Sequence, residues 1–169
     1  LQQLGPESRL LELGAGSGAM AAELLAELER QGTSPAEYWI LDLSADLRER
    51  QRETLEQVVP HLLPRVQWLD SLPDEPFVGM ILANEVLDAL TIERFAIRSG
   101  EVNALGVSSE FGQLQLAEVR AASRLVAAVR RIEADTGIAL PDGYESEVCT
   151  GLAPWFESIA YSLERGVLL

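Results

Sequence analysis

The fold is decided by the stretch Glu12-Leu13-Gly14-Ala15-Gly16-Ser17-Gly18. The apolar run 9–13 that leads into it is typical of a buried strand, and residues 19–30 after it carry apolar side chains at helical spacing. Glycines between a strand and a helix allow a tight turn and the close approach of a ligand. The first turn of the helix offers unpaired N–H groups to an anionic group. The stretch therefore predicts a ligand-binding loop in an α/β fold.

Short apolar runs alternate with longer amphipathic stretches on both sides of this loop. Further strands are predicted at 38–41, 65–69 and 78–83, and a helix capped by Ser44 is predicted to run through about Val59. Strands that alternate with helices at this spacing favour a parallel, Rossmann-like sheet with helices on both faces.

The pattern changes in the second half of the chain. Short extended stretches separated by turns, followed by a helix, predict an antiparallel hairpin or meander inserted at about 93–140. A last helix is predicted over 152–165 with Gly166 as its stop, and residues 167–169 would open a fifth parallel strand. We expect one domain over 1–169. Because the chain starts without Met and ends on an apolar run, we also expect it to be a fragment whose closing strands are absent.

The charge balance restricts the classes of partner. The sequence has 13 Lys and Arg against 27 Asp and Glu, a net charge of −14, which disfavours nucleic acid and favours a basic protein partner. No apolar run approaches the roughly 18 residues that span a bilayer, so no membrane partner is expected.

With a single Cys and a single His, neither a disulfide within the chain nor a Cys/His metal centre is expected, and a cytoplasmic location follows. Exposed sheet edges predict some self-association.

A carboxylate at the end of the second strand suggests which ligand the loop binds. Asp42 stands where an acidic side chain can accept hydrogen bonds from both hydroxyls of an adenosine ribose. We expect Asp42 and its neighbour Leu43 on the ribose side of the ligand. Asp70, after the third strand, is a candidate for the adenine side. These positions indicate an adenosine-containing ligand without choosing one.

The choice between cofactors depends on Glu12. Gly14, Gly16 and Ala19 also fit the dinucleotide pattern G-x-G-x-x-G/A, so the loop alone fits both NAD and S-adenosylmethionine. The residue two positions before the first glycine of an NAD-binding loop is usually apolar, whereas here it is Glu12. This favours S-adenosylmethionine, with Glu12 near its ammonium group or ordering the loop. The alternative is that Glu12 only caps loop amides.

The segment Asn84-Glu85-Val86-Leu87-Asp88 follows the fourth strand. Ligands of open α/β sheets bind outside the carboxyl ends of the strands, where Asn84 and Glu85 should stand. If a helix begins here, Glu85 and Asp88 share a face. We expect Asn84, Glu85 and Asp88 to face the reacting group. The alternative is that these acids only complement the dipole of that helix.

These motifs together resemble the MidA-like family of class I methyltransferases. The resemblance lies in residues 11–18, 38–51 and 82–90, and residues 141–147 and 155–166 also fit it. The resemblance implies a class I fold and S-adenosylmethionine held by the glycine loop, including Glu12, Gly14, Ala15, Gly16 and Gly18. It also implies contacts from Asp42, Leu43, Asp70 and Asn84, and a protein substrate, since mitochondrial members methylate protein arginine.

Three functions remain open from the sequence. The first is a methyltransferase acting on a protein, with arginine as the candidate residue. The second is a module that binds S-adenosylmethionine or S-adenosylhomocysteine without catalysis. The third is an NAD-dependent oxidoreductase.

Overall fold

Two separate β-sheets organise the chain in the computed structural model, which describes residues 3–110 and 112–169. The chain divides into two units. The first contains the residues through Ala89 together with Phe156–Leu169, and the second is Leu90–Trp155. No helix within the described ranges is long and apolar enough to cross a membrane.

The first unit contains a five-stranded sheet whose strand pairs are all parallel. Its elements are β1 (Arg9–Leu13), α1 (Ala19–Arg30), β2 (Tyr38–Leu41), α2 (Ala45–Val58), β3 (Val66–Leu69) and β4 (Phe77–Leu82), and after the second unit β9 (Leu163–Leu168). Helix α4 (Leu152–Tyr161) begins in the second unit and ends in the first. The strand order is β3-β2-β1-β4-β9. The predicted α/β fold with a parallel sheet is confirmed.

One face of this sheet forms the main core. Leu10, Tyr38 and Ile40 of β1 and β2 pack with Leu25 of α1 and Leu55 of α2, and each is buried to 1% exposure or less. Alternate residues of a strand point to the same face, which explains why Leu10 and Glu12 share this side. Burying such side chains contributes about 1.5–3 kcal/mol each, so α1 and α2 are held firmly against the sheet.

The end of the chain corrects a sequence prediction. The predicted helix over 152–165 ends at Tyr161, and Gly166 lies inside strand β9 rather than stopping a helix. Gly166 pairs with Gly79 of β4, and a Cβ at Gly166 would collide with the carbonyl oxygen of Gly79. Gly166 therefore permits the close approach of two strand backbones. The sequence pattern around it was interpreted as the end of a helix, which does not indicate this role.

The second unit is a four-stranded antiparallel sheet that packs against one helix. Its elements are β5 (Glu93–Arg98), β6 (Glu101–Glu110), β7 (Gln113–Arg120), α3 (Ser123–Thr136) and β8 (Glu145–Val148), and the strand order is β7-β6-β5-β8. Phe95, Ile97, Leu125 and Val129 form its core. The inserted antiparallel sheet was predicted at about 93–140. The unit extends to Trp155 because β8 pairs with β5.

Candidate functional site

The glycine loop connects β1 to α1 through three left-handed residues. Gly14, Gly16 and Gly18 have φ of 67°, 55° and 81°. The Gly14 N–H donates to the Leu41 carbonyl at 2.9 Å, and the Gly18 N–H donates to the Ala15 carbonyl at 2.8 Å. The loop is therefore a folded turn that is hydrogen-bonded to the end of β2, and α1 begins directly after it.

A cleft of about 320 Å³ lies above this loop. It is lined by Glu12, Gly14, Ala15, Gly16, Ser17, Ala19, Met20, Asn84 and Glu85. Six predicted site residues are thus brought together from the carboxyl ends of β1 and β4: Glu12, Gly14, Ala15, Gly16, Asn84 and Glu85. The other predicted residues, Gly18, Asp42, Leu43, Asp70 and Asp88, are not among the residues that line it.

Two glycines of the loop serve different purposes. A Cβ added at Gly16 would meet no atom within 4 Å, whereas a Cβ at Gly18 would lie 2.9 Å from Cα of Gln51. Gly18 is therefore required by the packing of α1 on α2. Gly16 leaves open space in the cleft wall, which suits a ligand that must approach the backbone closely.

The cleft also offers hydrogen-bond donors. Within the part of the chain that the structure describes, the N–H groups of Ala15, Gly16 and Ser17 donate to no backbone carbonyl, and no acidic side chain lies in the first turn of α1. The positive end of the helix dipole therefore has no acidic side chain of its own first turn beside it, although Glu12 and Glu85 line the same cleft. Its unpaired N–H groups suit a carboxylate or another anionic group. The donors and the open glycine fit the amino-acid part of S-adenosylmethionine.

Glu12 lies beneath the loop and is almost completely buried. Its Oε2 accepts a hydrogen bond of 2.6 Å from the hydroxyl of Tyr38, which is also buried. Burial raises the pKa of Glu12 above its ordinary value, and the hydrogen bond from Tyr38 partly lowers it. Burial and the neighbouring Glu12 raise the pKa of Tyr38, so its phenol remains a donor. The pair anchors β1 to β2 at the floor of the cleft.

Asp42 directly follows β2, and two donors hold its carboxylate. Its Oδ1 accepts from the N–H of Ser44 at 3.0 Å, and its Oδ2 accepts from the side-chain amide of Gln51 at 2.8 Å. A carboxylate has about four lone-pair sites, so each oxygen keeps capacity for a ligand although the side chain is only 8% exposed. The next residue, Leu43, is 88% exposed, which leaves a large apolar side chain free at the same edge.

Asp70 follows β3 and is tied to α2. The side chain of Arg48 donates to Asp70 Oδ1 at 2.7 Å and also to the backbone carbonyls of Asp42 and Leu69. Arg48 thus joins the ends of β2 and β3, while the side chain of Asp70 stays 92% exposed. Its predicted contact with adenine stays a prediction.

The segment after β4 differs from the expected helix. A short 3-10 turn spans Val86–Ala89, and Glu85 precedes it with φ of 55°. Glu85 and Asp88 are therefore not partners on one face of an α-helix; the N–H of Asp88 instead donates to the Glu85 carbonyl at 3.3 Å. A left-handed glutamate is uncommon and costs conformational energy, which is typical of functional sites.

Sequence reasoning missed several residues of the site. Met20 lines the cleft, and its position in the first turn of α1 was a usable signal. Ser17 and Ala19 also line it; both belong to the predicted loop pattern but were not named as site residues. Gln51 and Tyr38 act through hydrogen bonds to residues distant in sequence. Neither has a local pattern that distinguishes it from an ordinary helix or strand residue.

Comparison with known proteins identifies the family. The sequence model of a family of S-adenosyl-L-methionine-dependent methyltransferases matches residues 1–169. The chain belongs to this methyltransferase family. Its glycine loop and the cleft above it are therefore features of a methyltransferase fold. The prediction of a family of S-adenosylmethionine-dependent methyltransferases is confirmed, and the MidA-like assignment stays a prediction.

Solved structures agree with the methyltransferase assignment. A relative from Burkholderia thailandensis that is described as a likely methyl transferase, solved with S-adenosyl-homocysteine bound, is 36% identical, with a TM-score of 0.82 over 96% of this chain and 41% of that protein. A native structure from the same organism is also 36% identical, with a TM-score of 0.82 over 97% of this chain and 43% of that one. The chain therefore spans less than half the length of these relatives.

A curated relative matches a shorter part of the chain. Citrinin polyketide synthase of Monascus ruber is 36% identical over 92 residues, which is 53% of this chain and 4% of the synthase. The match covers so little of the synthase that the substrate of the synthase is not assigned to this protein.

Proposed function

We propose that this chain is the S-adenosylmethionine-binding core of a MidA-like methyltransferase. The observation that carries the proposal is the cleft above the glycine loop, where the open Gly16 and free amide donors lie beside Glu12 and Glu85. Family membership and the S-adenosyl-homocysteine bound to the Burkholderia thailandensis methyl transferase support it.

Each wall of the site has a distinct part in this proposal. The N–H groups at 15–17 hold the carboxylate of the cofactor's amino-acid part, and Asp42 accepts hydrogen bonds from its ribose. The exposed Leu43 covers an apolar part of the same nucleoside. When bound, S-adenosylmethionine supplies a methyl group on a positively charged sulfur. The protein's contribution is then positioning and electrostatics.

The proposed acceptor is a protein side chain, with arginine as the candidate. Asn84 and Glu85 are exposed at the rim of the cleft, on the side open to a second molecule. A guanidinium has a pKa above 12, so a carboxylate such as Glu85 can hold it and offset charge as its proton leaves. The net charge of −14 also attracts a basic partner.

Calorimetry tests the cofactor. We expect the chain to bind S-adenosylhomocysteine and to bind NAD at least tenfold more weakly. Tighter binding of NAD contradicts the proposal and favours the oxidoreductase interpretation. Binding of S-adenosylhomocysteine without any methyl transfer by the protein that contains this chain favours the non-catalytic module.

A substitution at the rim tests the acceptor side. Glu85→Gln should leave the affinity for S-adenosylhomocysteine within about twofold and reduce methyl transfer to a basic peptide by roughly 100-fold, as expected for loss of a proton-accepting group. The control is Asp88→Asn, an exposed acid that does not line the cleft. An equal loss of methyl transfer in both variants contradicts the proposed role of Glu85. Methyl transfer to lysine peptides rather than arginine peptides contradicts the proposed acceptor.

A further inference from the structure

A single buried amide, Gln51 of α2, connects three strand ends at the proposed cofactor site. Gln51 is 0% exposed. Its Nε2 donates to the Gly16 carbonyl at 3.1 Å and to Asp42 Oδ2 at 2.8 Å. Its Oε1 accepts from the indole N–H of Trp68 at 2.9 Å. The loop after β1, the end of β2 and strand β3 therefore meet at one side chain.

The contacts fix which way this amide faces. An indole nitrogen only donates, so the oxygen of Gln51 must face Trp68 and its NH₂ must face the two acceptors. Both protons of that NH₂ are then used, one on Gly16 and one on Asp42. A carboxylate at this position could not donate, and an apolar side chain would leave the acceptors and Trp68 unpaired.

The bond to Gly16 orients the loop. In a planar trans peptide the C=O and the following N–H point in opposite directions. Because Gln51 holds the Gly16 carbonyl on its own side, the N–H of Ser17 points away from Gln51. One turn later, the hydroxyl of Thr54 lies 2.8 Å from the Ser17 carbonyl and 2.9 Å from the Arg50 carbonyl, and these two acceptors share its single proton. Helix α2 thus aligns two consecutive peptides of the glycine loop.

The bond to Asp42 orients the carboxylate. With Oδ1 held by the Ser44 N–H and Oδ2 held by Gln51, the side chain has one defined rotamer. Its remaining lone pairs then have fixed directions. Such pre-organisation reduces the entropy lost when a ligand hydroxyl binds.

We propose that Gln51 is a positioning residue for the cofactor: it sets the glycine loop and the carboxylate of Asp42 in the arrangement that binds adenosine, without touching the ligand. This inference rests on the proposed function. It differs from a purely structural role because Gln51 acts on ligand affinity, in part through Asp42 and in part through the Gly16 carbonyl.

A double-mutant cycle separates the two roles. The variants are Gln51→Met, Asp42→Asn and their combination, and Gln51→Asn serves as a second variant that keeps an amide but is too short to reach both acceptors. Dissociation constants for S-adenosylhomocysteine and melting temperatures are measured on the same samples. Ser162→Ala is the control, since Ser162 is also buried and its hydroxyl donates to the Ser158 carbonyl, away from the cleft.

Coupling between the two residues is the expected result. We expect Gln51→Met and Asp42→Asn each to weaken binding by about tenfold or more. The double variant should lose clearly less than the product of the two single losses, because Asp42→Asn already removes one of the two routes by which Gln51 acts. Ser162→Ala should lower the melting temperature and keep the wild-type affinity within about twofold. If Gln51→Met fails to fold, the same coupling is expected with Gln51→Asn.

Two results overturn the inference while leaving the proposed function intact. One is a Gln51 variant with a lowered melting temperature and wild-type affinity. The other is a double variant whose loss is the product of the two single losses, since independent residues act additively in free energy. A wild-type chain that does not bind S-adenosylhomocysteine overturns the proposed function and this inference together.

Discussion

Replacing Tyr38 with phenylalanine removes one hydroxyl group from the floor of the cleft and keeps the ring that packs in the core. That hydroxyl donates to Glu12 at 2.6 Å, and Tyr38 and Glu12 are 0% and 1% exposed. The structure describes no other side-chain hydrogen bond to Glu12. Leaving a buried polar group without its partner costs about 1–3 kcal/mol, so Tyr38→Phe should lower the free energy of unfolding by about that amount.

The size of this loss should depend on pH. Burial raises the pKa of Glu12 in the folded protein, and the hydrogen bond from Tyr38 partly lowers it. A carboxyl whose folded-state pKa is raised contributes its full stability below the unfolded-state pKa and loses it as the pH rises through the folded-state pKa. Removing the hydroxyl raises that folded-state pKa further. Tyr38→Phe should therefore cost more at about pH 8 than at about pH 5.

Urea unfolding followed by circular dichroism at both pH values measures the difference. The matched background is Glu12→Gln, which keeps an acceptor for Tyr38 but cannot titrate. In that background Tyr38→Phe should cost the same at both pH values. A loss in the wild-type background that is equal at the two pH values, or that is below about 0.5 kcal/mol, would refute this account of the pair.

Three further substitutions test the site and the sheet. Gly16→Val should abolish binding of S-adenosylhomocysteine in calorimetry, because a β-branched residue at φ of 55° is strained and its side chain enters the cleft. Retained affinity would mean that the ligand does not pass over this loop. Leu43→Gln should weaken that binding several-fold without a change in melting temperature, because the 88% exposed side chain has little contact within the protein; a lowered melting temperature at wild-type affinity would contradict it. Gly166→Ala should lower the free energy of unfolding, measured by urea denaturation, by about 1–3 kcal/mol, because its Cβ would collide with the Gly79 carbonyl. An unchanged free energy of unfolding would show that β4 and β9 can separate at little cost.

Local sequence patterns predicted the elements that surround the glycine loop. The bounds of β1, β2 and α1 agree with the sequence prediction, and Ser44 caps α2 by accepting from the Leu47 N–H. Such elements are predictable because strand alternation, helical spacing and caps depend on neighbours within a few residues. The cleft residues from Glu12 to Gly16 could be predicted for the same reason.

Features that depend on distant residues escaped prediction. Strand β8 reads Glu145-Ser146-Glu147-Val148 and has no continuous apolar run, so only its pairing with β5 reveals it. Gly166 looked like a helix stop because the carbonyl that it must avoid belongs to β4. Gln51 lies in a polar helix, and its partners Gly16 and Trp68 come from other parts of the chain. Contacts between residues this far apart in the chain cannot be predicted from a single sequence.

The place of β9 in the sheet has a consequence for synthesis on the ribosome. Strand β9 pairs with β4, but the whole of Leu90–Trp155 is translated between them. The antiparallel unit can therefore begin to fold as soon as its own continuous stretch has emerged, since domains generally fold as units during synthesis. Strand β4, in contrast, must wait with one edge unpaired until β9 has left the exit tunnel. During that interval an emerging chain exposes Phe77–Leu82, which makes it the segment on which we expect a nascent-chain chaperone to act.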